Sequence, residues 1–155
     1  MSRIDQKLMQ LGITLPDPPS PLAAYVPYVV AERLAFIAGQ IPIENGQVKF
    51  TGLLGAEVDI ATGRAAARLC GLNILAQAKA ACGGDLDRVA RCVKLGGFVA
   101  SAPGFTQQPQ VVNAASELMQ EVFGEIGRHA RFAVGTNILP LNAAVEIEAI
   151  FQLHE

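Results

Sequence analysis

RFAVGTNILPLNAAVEIEAI, residues 131–150, decides the architecture. With their neighbours, ARFAVGTNI and AAVEIEAIFQL are rich in branched and aromatic residues. They read as two strands around a turn at Leu139-Pro140-Leu141-Asn142. In the last strand Val145, Ile147, Ala149, Phe151 and Leu153 share one face, and Glu146 and Glu148 share the other. The same alternation turns Phe132 away from Arg131 and leaves Ala133 on Arg131's side. An arginine that opens an apolar strand needs a partner, and its planar fork matches a carboxylate. That carboxylate is either internal, at Glu146 or Glu148, or belongs to a small bound molecule.

Working back along the chain, a helix precedes these strands. Val111, Ala115, Leu118 and Val122 form one buried stripe, with Val112, Met119 and Phe123 beside it. Pro109 sits in its first turn, and Gly124 and Gly127 end it. RVARCVKLGGFVA (88–100) reads as a long strand, with Gly96-Gly97 marking a bulge or a close backbone approach. Residues 59–82 are Ala-rich and free of proline, which predicts a helix from Asp59 to Gly83-Gly84. Arg64 and Arg68 lie one turn apart on it, as a solvated face. YVPYVV and RLAFIAGQI predict two strands turning near Glu32-Arg33. Asn45-Gly46 is a hairpin signal and predicts a third strand. Ser2 to Leu11 reads as a short helix with Ser2 as N-cap and Gly12 as stop. LPDPPSPL then runs as an extended connector.

The order is α-βββ-α-β-α-ββ. It predicts an α+β fold: one mixed sheet with the two longer helices packed on one face. The opposite sheet face also needs cover, and packing against further copies of the chain supplies it. The chain, 155 residues long, is enough for one domain, residues 1–155, with 1–22 as an N-terminal helix and Pro-rich strap.

Composition excludes several function classes. The chain is 51% hydrophobic, which excludes a disordered protein. Its net charge is −2, and no Lys/Arg stripe is present to bind phosphates, so a nucleic-acid partner is not expected. No apolar run approaches the ~20 residues that span a bilayer, so no membrane partner is expected. The N-terminus lacks a signal-peptide core, which predicts a cytoplasmic protein. Cys70, Cys82 and Cys92 are odd in number and not in CxxC spacing. They read as small core residues of a reducing compartment, with no disulfide framework and no metal site. His129, just before Arg131, reads as a surface turn residue able to titrate near neutrality. GxGxxG, GxxxxGK[ST], HExxH and GxSxG are all absent.

RxxVxxxxLPxxxxVEIEAI, from Arg131 to Ile150, resembles the C-terminal signature of the Rid family of reactive intermediate deaminases, also called YjgF or L-PSP proteins. AGQIP (Ala38–Pro42) is similar to that family's SGQIP, with Tyr25 at the familiar distance before it. VNAASEL from Val112 is similar to its VNxxYE segment and supplies Asn113. The resemblance runs from about residue 20 to the end. It implies a chorismate-mutase-like (YjgF-type) fold and a homotrimer with pockets between subunits. It implies hydrolysis of 2-enamino and 2-imino acids to 2-oxo acids and ammonia, without cofactor or metal. Carried over, Arg131 grips the carboxylate of a small metabolite and Glu146 serves the attacking water, the two catalytic positions. Tyr25, Gly39, Asn113 and Arg131 bind substrate. Read as structural residues instead, Tyr25 is a half-buried packing residue and Asn113 a helix side chain serving a nearby loop.

Ala38, Phe132 and Ala133 depart from the family's serine, small hydroxyl residue and frequent cysteine. They alter the pocket's surroundings and bear on whether catalysis is retained. Two other functions compete with the deaminase. One is a non-catalytic sensor or chaperone binding small carboxylates. The other is an endoribonuclease, against which the charge argues. Glu146 favours the enzyme, because an anion binder loses affinity from a nearby acid.

Overall fold

The computed structural model describes residues 1–155. Helix α1 (Arg3–Gln10) is followed by β1 (Tyr28–Ala31), β2 (Leu34–Gln40), β3 (Ile43–Glu44) and β4 (Gln47–Val48). Then come α2 (Ile60–Ala81), β5 (Val89–Ala100), α3 (Gln108–Phe123), β6 (Ala130–Thr136) and β7 (Val145–Leu153). Short 3₁₀ turns fill 86–88, 124–127 and 140–142.

β1, β2, β7, β5 and β6 form one mixed sheet in that order, with β5 and β6 its parallel pair. A parallel pair needs a crossover, and α3 supplies it. The sheet is α+β in arrangement, with α2 and α3 packed together on one face. The inward residues of β7 read from sequence, Val145, Ile147, Ala149, Phe151 and Leu153, are all buried there. So is the α3 stripe of Val111, Ala115, Leu118 and Val122.

Both N-terminal caps follow the sequence. Ser2 Oγ accepts from the Asp5 amide, and the Asp5 carboxylate accepts from the Ser2 amide, a capping box. Asp59 accepts from the Thr62 amide at the start of α2. The Asp87 carboxylate accepts from the amides of Arg3 and Ile4 and so ties the first turn of α1 to the turn before β5. Lys79 of α2 pairs with Asp5 at 2.8 Å.

Three details differ from the sequence reading, and one alternative it left open is decided. The Asn45-Gly46 turn makes its own hairpin, β3–β4, outside the main sheet. Both turn residues have positive φ, and the flanking strands are two residues each, too short to reach β1. The first main strand starts at Tyr28, not Tyr25, because Pro27 supplies no amide to a ladder. Gly96-Gly97 is a close approach, not a bulge. A β-carbon on Gly97 would lie 2.7 Å from Val112 of α3, and one on Gly96 would lie 2.6 Å from the Phe132 ring. Arg64 and Arg68 are half-buried and not a freely solvated face, for they pair with Glu117 and Glu121 of α3.

The sheet face away from the helices carries a different surface. Register aligns Val29, Phe36, Ile150, Lys94 and Ala130 across it, and Phe98 between Glu146 and Val134. Phe98 and Phe132 meet edge to face at 5.2 Å, with the Lys94 ammonium over the Phe132 ring. Val29, Phe36 and Val134 are exposed.

Candidate functional site

Arg131 lies on β6 at one edge of the sheet, on the helix side, in register with Leu95. Ala133 shares that side and Phe132 takes the other, as alternation requires. Neither Glu146 nor Glu148 is its partner. Its guanidinium donates to Ser116 Oγ at 3.1 Å and to the Pro109 carbonyl at 3.3 Å, both on α3. No carboxylate lies within ion-pair distance of it. Burial disfavours its charge and lowers its pKa. The result is a half-buried cation with donors to spare and no anion.

A chain of hydrogen bonds fixes it. The Gly127 carbonyl only accepts, so His129 Nδ1 donates to it, at 2.7 Å. His129 Nε2 then accepts from the Ser116 hydroxyl at 2.9 Å, and Ser116 Oγ accepts from Arg131. Burial lowers the His129 pKa, and the nearby Arg131 charge acts the same way, against the Gly127 bond. His129 is thus a half-buried neutral link, not the surface turn residue that its sequence context suggested. Asn113 stands on the same α3 stripe as Pro109 and Ser116, at helical spacing, and is half-buried.

Glu146 lies elsewhere, on β7, on the sheet face away from the helices and opposite Phe98. Two strand spacings, about 10 Å, separate β7 from β6. Within one chain, Arg131 and Glu146 therefore do not meet. Burial raises the Glu146 pKa, and the neighbouring Glu148 charge adds to it.

AGQIP explains what Glu146 faces. Between Ile37 and Gln40 the β2–β7 register slips by one residue, so Ala38 and Gly39 together oppose Glu148. This β-bulge presses the backbone at Gly39 toward Glu146. A β-carbon at Gly39 would sit 2.6 Å from Glu146 Oε1, so the glycine leaves the space the carboxylate uses. Gly39 also borders an open cleft, lined with it by Tyr25, Gln40, Ile41 and strap residues Pro19–Leu22. No charged side chain lines that cleft.

The site residues thus fall into two groups. Tyr25, Gly39 and Glu146 gather around the bulge. Asn113 and Arg131 gather at the β6 edge, with Ser116 and His129, which sequence reading did not assign to the site. The GRHAR segment was the available signal for His129. Nothing local singled out Ser116.

Comparison with known proteins gives consistent relatives. Residues 5–153 match the family model described as "YjgF/chorismate_mutase-like, putative endoribonuclease". The chain is 47% identical over 153 residues to Protein TCP17 of Trypanosoma cruzi, covering 98% of this chain and 95% of that one. It is similar to the crystal structure of Atu1372 from Agrobacterium tumefaciens, a protein of unknown function. Identity there is 50%, coverage 97% and 94%, and TM-score 0.90. The YjgF gene product of E. coli is 27% identical, with coverage 90% and 94% and TM-score 0.62.

Proposed function

The chain belongs to the Rid/YjgF (L-PSP) family, and on that footing we propose that it is a hydrolytic deaminase of 2-enamino and 2-imino acids. The products are a 2-oxo acid and ammonia. The observation that carries the reading is Arg131, a fixed and half-buried guanidinium with no protein carboxylate beside it. A substrate carboxylate completes it through a charge-assisted pair.

The pocket forms between copies of the chain. One copy brings Arg131 and Asn113, and its neighbour brings Tyr25, Gly39 and Glu146. Support comes from the separation of the two groups in one chain and from the exposed apolar residues of the open sheet face, Val29, Phe36 and Val134. A homotrimer buries that face and repeats the pocket three times.

The chemistry asks little of the protein. Free imines hydrolyse in water, so holding the substrate and aiming one water supplies most of the rate. Glu146 accepts a proton as the water oxygen bonds to the imine carbon. It returns that proton to nitrogen, giving the carbinolamine; it then takes the carbinolamine hydroxyl proton and passes it to nitrogen as the C–N bond breaks, leaving the 2-oxo acid and ammonia. A carboxyl raised toward neutrality by burial serves both steps better than an ordinary one.

A carboxylate-binding sensor would use Arg131 equally, but it gains nothing from Glu146. Ribonuclease action, named in the family description, finds no basic stripe on a chain of net charge −2. The three buried free thiols suit a reducing cytoplasm, and no helix is long and apolar enough to cross a membrane.

The test is ammonia or 2-oxo acid release from imines made in situ by an amino-acid oxidase. Wild type should accelerate it and Arg131→Ala should not. Folded wild type that accelerates no imine would replace the deaminase with the carboxylate binder.

A further inference from the structure

The hydrogen bonds behind Arg131 all point one way. Its guanidinium donates to the Ser116 hydroxyl, the hydroxyl donates to His129 Nε2, and His129 Nδ1 donates to the Gly127 carbonyl, at 3.1, 2.9 and 2.7 Å. Each group in such a row polarises the next. The direction is set from the far end. The Gly127 carbonyl only accepts, which places the ring proton on Nδ1 and leaves Nε2 as an acceptor. The buried Ser116 hydroxyl then turns its hydrogen to Nε2 and a lone pair to Arg131. Without that acceptor, a helix serine returns its hydroxyl to a carbonyl of the preceding turn.

The far end is itself pinned. A β-carbon on Gly127 would collide with the Met119 carbonyl, so the 124–127 turn lies directly on α3, one helical turn beyond Ser116. The charges of the surrounding elements are engaged elsewhere. Glu117 and Glu121 of α3 pair with Arg64 and Arg68 of α2, and Glu125 pairs with Arg128 inside the turn. Lys94 of β5 lies over the Phe132 ring, on the other face of the sheet. Arg131 is the charge that bears on His129. A long, flexible cation is thus held by neutral groups, and its remaining donors stay free for an anion.

Fixing a guanidinium in advance removes an ordering cost from binding. We propose that Ser116 and neutral His129 are positioning residues: they hold Arg131 aimed for a carboxylate before the ligand arrives. This rests on the deaminase reading for turnover, and on the carboxylate grip of Arg131 alone for binding. The ligand's arrival has a second consequence. Its carboxylate cancels the positive charge that opposes a proton on His129, so binding raises the His129 pKa.

The experiment measures pyruvate binding by calorimetry and kcat/KM for the imine of alanine, made in situ. Ser116→Ala and His129→Leu should each weaken pyruvate binding about tenfold and lower kcat/KM by the same factor, since product and transition state lose one grip. The double variant should lose no more than either single one, because both break the same chain. Residues acting independently would together lose about a hundredfold. In wild type, the His129 ring resonance should titrate at higher pH with pyruvate bound than without, and Arg131→Ala should abolish the difference. Alanine is the best helix former, so Ser116→Ala keeps α3 intact and decides the matter if His129→Leu does not fold. Unchanged pyruvate binding in Ser116→Ala, multiplied losses in the double variant, or a His129 titration indifferent to pyruvate would each overturn the positioning role. If wild type binds pyruvate but accelerates no imine, the deaminase reading fails and the binding series alone decides. Wild type that binds no pyruvate would overturn the positioning role as well.

Discussion

Two regions of the sheet, its β6 edge and the β2–β7 bulge inside it, carry opposite halves of the proposed chemistry. The β6 edge has a cation without a carboxylate. Arg131 is fastened by Ser116 and the Pro109 carbonyl, and the fastening continues through His129 to the Gly127 carbonyl. The β2–β7 bulge has a cavity without a cation. Gly39 opens space for Glu146, and the adjoining cleft is lined by uncharged residues. A small anionic substrate needs both ends. On the proposed reading, the difference teaches that each chain builds two half-sites, each held by its own element. In the proposed assembly the substrate joins a pair.

The sharpest way to break that comparison is to damage the halves in separate chains. Arg131→Ala and Glu146→Gln should each lower kcat/KM by about 100-fold or more. Chains of the two kinds, mixed and reassembled, should recover about a quarter of wild-type activity, because about one interface in four then pairs two intact halves. No recovery in the mixture, with the wild type active, would mean that the halves do not meet across an interface.

Gly39→Ala probes the cavity end alone. Its β-carbon would displace the Glu146 carboxylate, the far end of a flexible side chain. The fold should survive while kcat falls about tenfold and carboxylate affinity holds. Loss of affinity with kcat intact would put the binding role at the wrong end.

Smaller effects belong to stability. Glu146 has a folded-state pKa raised by burial and by Glu148. Ionising it therefore opposes folding, over the window from its ordinary value up to and beyond the raised one. Glu146→Gln should raise Tm at pH 7 and lose that gain near pH 4, measured by calorimetry. An unchanged Tm at pH 7 would show the carboxyl to be better solvated than its burial implies.

The cation end should answer in the opposite sense. The folded-state pKa of His129 is lowered from 6.5, chiefly by burial and also by Arg131. Its contribution is present above the unfolded value and is lost as pH falls through the folded one. A thermal melt series should show wild type losing Tm below pH 6.5 more steeply than His129→Asn. Parallel curves would remove His129 from the hydrogen-bond chain.

Much of the fold was legible because it rests on local periodicity. The β7 alternation, the α3 stripe and the Ser2 and Asp59 caps each follow from residues within a few positions of one another. The Asn45-Gly46 turn was equally legible, since both residues suit positive φ, but its membership in the main sheet was not. Sheet membership depends on which edge a strand can reach, and a turn motif carries no information about that. The candidate site was proposed residue by residue through family resemblance. Its division into two groups was beyond the sequence, because side-chain alternation is known within a strand while strand order is known only from the fold.

By itself, then, the sequence determined which residue types are available for the proposed chemistry and which faces are apolar. Composition, spacing and period are properties of the chain read in one dimension. Only the tertiary structure decided that Arg131 donates its hydrogen bonds to α3 rather than to Glu146. It alone set Gly39 against Glu146 through a bulge, and Gln77 against a carbonyl 58 residues away. Those contacts join elements distant in sequence, and their partners are chosen by packing around one core, where a one-residue shift in register changes every neighbour.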